Sequence, residues 1–320
     1  ADGIVFGDWS SYLCSSDLIV PRCQVYHAHP PGRLFRHYTT HGSGCKAGIL
    51  GLESQGTMIR AALSSAAFLG SPYESILENA SRSGVQGMEW SSDFGVESGD
   101  TAAAERTMLA TLRAGLSTAS YCTLFRAGLQ SPTAFAPVLD TARALYSPTI
   151  KLWAGFKSPS LEDDAERFRR TANELADMAA KEGVTLCFGM GRGSAIDSYE
   201  RARALMGAAD HPFVKLCWEP LPGIPFDDAM ATFNALSGRI GLLCARSAGE
   251  DGRNALLRER DEDWLLYLDA FDEQGGSPDM ARYVVIRAFK DGKPESLEDD
   301  CRLIRTWSEK LRRYRRRRLI

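Results

Sequence analysis

From about Met58 onward the chain alternates short apolar runs with longer segments of helical periodicity, eight times over. The runs are Ile59 to Leu63, Gly84 to Trp90, Leu116 to Cys122, Thr149 to Trp153, Val184 to Phe188, Phe213 to Trp218, Ile240 to Cys244 and Tyr283 to Ile286. Between and after them lie Pro72 to Ser81, Thr101 to Ala114, Thr133 to Leu145, Leu161 to Lys181, Asp197 to Met206, Asp227 to Leu236, Asp261 to Phe271 and Glu295 to Leu311. Near-continuous apolar strands alternating with amphipathic helices predict a parallel sheet covered by helices, because a strand apolar on both faces must be buried on both. Eight units favour closure into a (β/α)8 barrel over an open sheet. An open dinucleotide-binding sheet would also carry a Gly-x-Gly-x-x-Gly turn directly after its first strand, and none stands there. Ser71 before Pro72 reads as an N-cap and first-turn proline, and Gly115 and Gly183 stand just past helix ends.

Residues 1–57 break the pattern. They mix Gly, Pro, Ser, His and Cys, as in Ala28-His29-Pro30-Pro31-Gly32, without sustained periodicity. Position 1 is not methionine, whereas Met58 falls one residue before the first run. Cys14-Ser15-Ser16-Asp17-Leu18 resembles the translated sequence of a common adapter oligonucleotide. The expectation is an irregular or disordered leader, not necessarily native, ahead of a barrel over residues 58–320. The competing reading is a histidine-rich metal-binding extension built on His27-x-His29 and His37-x-x-x-His41.

Lys and Arg number 38 against 41 Asp and Glu, for a net charge of -3, so no global field recruits nucleic acid or an anionic membrane. The basic run Arg312 to Arg318 reads as the solvated end of the last helix, where cations favour the negative end of the dipole. No apolar run approaches the ~20 residues of a membrane span. None of the eight cysteines forms a C-x-x-C pair, and several fall inside apolar runs. They are expected to be buried free thiols in a soluble, cytoplasmic protein.

Catalytic groups of such barrels sit at the C-terminal ends of the strands. Four of the five histidines precede the first run, and His211 opens a turn that feeds into a strand. From Met58 to about Trp307 the chain nevertheless resembles the sugar phosphate isomerase/epimerase family, with its xylose isomerase-like TIM barrel. The resemblance is carried by Leu63-Ser64-Ser65-Ala66-Ala67-Phe68, Gly84-Val85-Gln86-Gly87-Met88-Glu89-Trp90 and Ala119-Ser120-Tyr121. It continues in Ile150-Lys151-Leu152-Trp153-Ala154-Gly155, Lys215-Leu216-Cys217-Trp218-Glu219-Pro220 and Phe289-Lys290-Asp291-Gly292-Lys293-Pro294-Glu295. The order and spacing of these pieces carry it, no one of them alone. It implies aldose–ketose isomerisation or epimerisation of a sugar or sugar phosphate. A divalent Mn, Co, Mg or Zn ion would polarise the carbonyl while carboxylates move a proton. It also implies possible self-association.

The ligand positions that the resemblance implies are degenerate here. Gly189 stands where the fifth strand should supply a glutamate, and Gly191 where a histidine often follows. Glu219 follows the sixth strand as a surviving carboxylate. Cys244, or a neighbour, takes the place of a histidine on the seventh, and Arg287 that of a glutamate on the eighth. A guanidinium there puts a permanent cation where the metal would sit, so a hard-metal site is not expected.

Two functional readings follow. In the first, Glu219, Glu89 and Lys151 carry proton transfer on a small polyhydroxy carbonyl compound, and Arg287, Arg192, Trp153, Tyr121, Arg126 and Trp218 hold it. In the second, the chain is a non-catalytic, metal-free relative that binds a sugar-like ligand or a protein partner. Each residue also has a plain structural reading. Arg287 can close a salt bridge with Glu219 or Glu89, Lys151 can be an ordinary charge pair in the barrel wall, and Tyr121 and Trp153 can be packing residues. The loop Gly189-x-Gly191-x-Gly193 can either present backbone N–H groups to a phosphate or be an ordinary loop.

Overall fold

The computed structural model describes residues 59–68, 71–248, 254–274, 281–290 and 293–318. The leader, with its histidines and the boundary at Met58, lies outside them. Eight parallel strands close into a barrel: β1 (Ile59–Ser64), β2 (Gly87–Ser91), β3 (Ser117–Ala127), β4 (Thr149–Ala154), β5 (Thr185–Gly189), β6 (Val214–Trp218), β7 (Ile240–Ala245) and β8 (Arg282–Ile286). Closure runs from β1 to β8, with Ile59 opposite Arg282 through to Leu63 opposite Ile286. A helix follows every strand: α1 (Tyr73–Ser83), α2 (Thr101–Arg113), α3 (Ala136–Ala144), α4 (Leu161–Lys181), α5 (Tyr199–Ala208), α6 (Phe226–Ala235), α7 (Asp261–Glu273) and α8 (Pro294–Arg318). A short antiparallel ribbon, Ser247–Ala248 with Asn254–Ala255, is inserted between β7 and α7.

Strand alternation splits the core into two layers. Outward side chains such as Met88, Trp90, Ile150, Phe188, Leu216 and Ile286 pack against the helices. The inward set is smaller: Ala62, Ala119, Cys187, Cys217, Leu242, Cys244, Tyr283 and Val285 fill the barrel interior. Side chains fill the interior of a closed eight-strand barrel, so it is a packed core and not a pore.

Local chemistry sets the helix ends. Ser160 caps α4 by accepting from the Asp163 N–H, and Glu162, Asp163 and Asp164 crowd its positive end. Gly115 and Gly183 take φ of 75° and 68°, the left-handed geometry expected past a helix end. Three local expectations change. Ser71 does not cap α1, since Pro72 is itself the N-cap and no side chain caps that helix. The segment expected as one helix from Thr133 to Leu145 opens as a 3-10 turn, Pro132–Phe135, capped by Ser131, before α3 begins. β3 runs on past Cys122 through a bulge, so that Arg126 and Ala127 pair with Trp153 and Ala154. The inserted residues break the alternation that would have revealed the extension. No helix among the described residues is long and apolar enough to cross a membrane.

Candidate functional site

Stepping two residues at a time along the inward faces of six strands leads towards the C-terminal rim. Glu89 is the central residue of β2, Lys151 and Trp153 lie on β4, and Gly189 ends β5. Glu219, Arg246 and Arg287 follow β6, β7 and β8 directly. Glu89 is fully buried, and both its oxygens are occupied. Ser64 donates to Oε1 at 2.8 Å and Ser120 to Oε2 at 2.9 Å. Burial pushes its pKa up, but the Lys151 and Arg287 charges and the two hydroxyls outweigh that and hold it below the usual glutamate range.

Lys151 lies 1% exposed, with its ammonium 3.1 Å from Cys244 Sγ and 5.7 Å from the centre of the Trp153 ring. Burial disfavours its charge, yet the thiols of Cys217 and Cys244 and the Glu89 carboxylate carry its pKa well above the ordinary lysine value. It is a locked cation and has no free pair with which to act as a base.

Arg287 stands between two carboxylates, with Nε 3.9 Å from Glu89 Oε1 and Nη1 3.6 Å from Glu219 Oε2. Burial opposes its charge, and Cys244 with the two glutamates more than restores it. Arg246 reaches the other oxygen of Glu219 at 3.8 Å. These separations exceed hydrogen-bond length. Accordingly the buried Nε groups of both Arg246 and Arg287 donate to no partner among the described residues. Glu219 itself keeps 18% side-chain exposure between the two guanidinium groups. Among the described residues at the inward strand ends, Glu219 is thus a reachable carboxylate flanked by two cations with hydrogen-bonding capacity to spare.

A divalent ion does not fit this set. At Gly189 a Cβ would lie 2.8 Å from the Trp153 indole, so the ring fills the space that a ligand side chain on β5 would use. Trp153 is held there by its Nε1 donating to the Thr123 carbonyl at 3.0 Å. Cys244 takes the Lys151 ammonium, and Arg287 faces both carboxylates. A divalent cation ~4 Å from a guanidinium meets a repulsion of order 8 kcal/mol at an effective dielectric of about 20. Among the described residues no three His, Cys, Asp or Glu side chains are placed to hold a metal.

Other expected members fall elsewhere. Trp218 faces the helices, stacked on Tyr199 at 5.3 Å and edge-on to Phe233, so it is a core residue and not a substrate contact. Tyr121 likewise points outward and is fully buried, its hydroxyl donating to the Val96 carbonyl and paired with Ser98. Arg126 straps the loop after β5 by donating to the Gly193 carbonyl at 2.5 Å. In that loop the N–H groups of Gly191, Ser194, Ala195 and Ile196 are all spent within the protein. Arg192 is exposed on the same loop. His211 lies before β6, at the opposite end of the barrel, 3.5 Å from Asp177.

Sequence reasoning missed Arg246, Ser64 and Ser120. The period of two that places Leu242 and Cys244 inside β7 also points to Arg246, the next member of the series. The two serines became legible only through their register opposite Glu89.

No protein-family model matches this sequence, and no curated protein does. Solved structures do resemble it. A xylose isomerase domain protein from Planctomyces limnophilus superposes with a TM-score of 0.61 at 16% identity over 80% of this chain and 99% of that one. The probable 3-DHS dehydratase AsbF of Bacillus anthracis gives 0.60 at 14% identity over 77% and 98%. A xylose isomerase-like TIM barrel protein from Mycobacterium smegmatis, solved in complex with magnesium, gives 0.57 at 13% over 81% and 98%. In fold, this chain is a xylose isomerase-like TIM barrel.

Proposed function

We propose that the barrel rim binds a small polyhydroxy carbonyl compound, a sugar or sugar acid, and isomerises it by proton transfer without a divalent metal. The observation that carries this reading is the arrangement of Arg246 and Arg287 around Glu219, with both guanidinium Nε groups lacking a hydrogen-bond partner among the described residues. Removing a proton beside a carbonyl builds negative charge on oxygen, and a fixed cation in a partly dry site can hold that charge. Arg287 supplies the cation and Glu219 the base. Arg246 orients the substrate through its hydroxyl or carboxylate oxygens.

The count of reachable bases narrows the reaction. Inverting one carbon requires groups on both faces of the substrate. Glu89 has both oxygens occupied, and Lys151 is buried and charged. Among the described inward-facing residues that leaves Glu219, which suits a transfer in which one base moves a proton between neighbouring carbons on the same face. That fits an aldose–ketose isomerisation better than an epimerisation. The same first step, proton abstraction next to a carbonyl, also opens a dehydration, the reaction class in the name of one structural neighbour.

A second reading, a binding barrel without turnover, is favoured by the sequestration of Glu89 and Lys151. One experiment separates the two. The protein is incubated with a panel of aldoses, ketoses and sugar acids in D2O, and exchange of the hydrogen next to the carbonyl is followed by NMR. Glu219→Gln should slow exchange by a factor of about 10² or more, the usual worth of a positioned general base. Undiminished exchange in that variant refutes Glu219 as the base. Saturable binding with no exchange in the unaltered protein establishes the second reading.

A further inference from the structure

Below the rim the barrel interior carries thiols that the proposed reaction does not use. Cys217 Sγ on β6 and Cys244 Sγ on β7 lie 3.1 Å apart, about 1 Å beyond a covalent S–S bond, and both are buried. Cys244 also accepts from the Lys151 ammonium at 3.1 Å. We propose that Cys217 and Cys244 are a peroxide-oxidisable pair in which Cys244 attacks, Cys217 resolves, and Lys151 stabilises the attacking thiolate. The proposal does not depend on the reading of the rim.

The two sulfurs are not equivalent. The contact with Cys217 lowers the pKa of Cys244 against the cost of burial, and Lys151 lowers it further. Cys217 is pushed well up, by burial and by its bond to Cys244. Cys122 and Cys187, without such a partner, are pushed up to about 12 by burial. The thiolate is the nucleophile in peroxide chemistry, and the Lys151 ammonium lies on the Cys244 sulfur, which makes Cys244 the attacking member of the pair.

The steps balance with hydrogen peroxide as the oxidant. The Cys244 sulfur attacks a peroxide oxygen, the O–O bond breaks, and the departing hydroxide is protonated by solvent, leaving a sulfenic acid. The Cys217 sulfur then attacks the Cys244 sulfur, the S–O bond breaks, and the hydroxyl leaves as water with the Cys217 proton. Two thiols are oxidised to a disulfide, and one peroxide is reduced to two waters. The bond would tie β6 to β7 two residues below Glu219 and Arg246, and it would take from Lys151 its thiolate acceptor.

The test uses the full chain. Reduced protein is treated with an equivalent of hydrogen peroxide, quenched and alkylated in denaturant, and mapped by mass spectrometry without reduction. A peptide pair joining Cys217 to Cys244, lighter by two hydrogens and released by dithiothreitol, is the expected result. Lys151→Met should slow its formation at least tenfold. Because that variant can lose its fold, the map of the unaltered protein decides by itself. Alkylation of both thiols, a Cys244 sulfinic acid beside a free Cys217, or a Cys244 link to Lys151 through oxygen would each overturn the proposal.

Discussion

Gly189 and Arg287 act together on one site. The first leaves room that the Trp153 ring occupies, and the second puts a guanidinium against Glu89 and Glu219. A strand glycine with ordinary φ normally gains about 0.4–1 kcal/mol on becoming alanine, through the unfolded chain. Here the added methyl would lie 2.8 Å from the indole, so Gly189→Ala should instead destabilise the protein by about 1–3 kcal/mol, the cost of overpacking. Urea denaturation reads the sign directly, and a stabilised variant would show that Trp153 does not lie over Gly189. At this scale the sequence was legible wherever a residue's identity sufficed. The pairing of Arg287 with the two glutamates could be read from residue types in order. Trp218 and Tyr121 could not, because an aromatic residue at a strand end looks the same whether it faces the lumen or the helices, and only its phase along the strand decides.

At the scale of elements, the strands and helices followed the apolar pattern closely, as α4 shows, running from Leu161 to Lys181 as its periodicity predicts. The bulge in β3 and the strapped loop after β5 were hidden, since both depend on contacts distant in sequence: Arg126 with Trp153 in the ladder, and Arg126 with Gly193 across the rim. α8 carries a pH-dependent contact of its own. Asp300 is buried on it and accepts the Leu257 N–H at 2.9 Å, and burial pushes its pKa up to about 6. An aspartate in the unfolded chain titrates near 3.9. Between those values the folded protein binds more protons than the unfolded one, so stability falls as pH rises from about 4 to about 6 and stays lower above that. A shift of about two units corresponds to about 3 kcal/mol at most. Asp300→Asn keeps an oxygen acceptor for Leu257 and removes the titration. Thermal unfolding between pH 4 and 8 should therefore lose this downward slope in the variant, and an unchanged slope would assign it to other groups.

The described residues form a barrel whose closure was predictable from eight repeats of one pattern, and the structural neighbours share that fold at identities of 13–16%. What the fold holds at its rim is a separate matter, because fold does not fix function. One neighbour was solved with magnesium, whereas in this chain the rim charges are met by Arg287, Arg246 and Lys151. The central claim is that a guanidinium has taken the place of the metal. Titration calorimetry of the full chain with Mn2+ and Mg2+, hard ions for which the leader's histidines are poor ligands, tests it most directly. The account predicts no stoichiometric binding. Uptake of one equivalent that Glu219→Gln abolishes would contradict it.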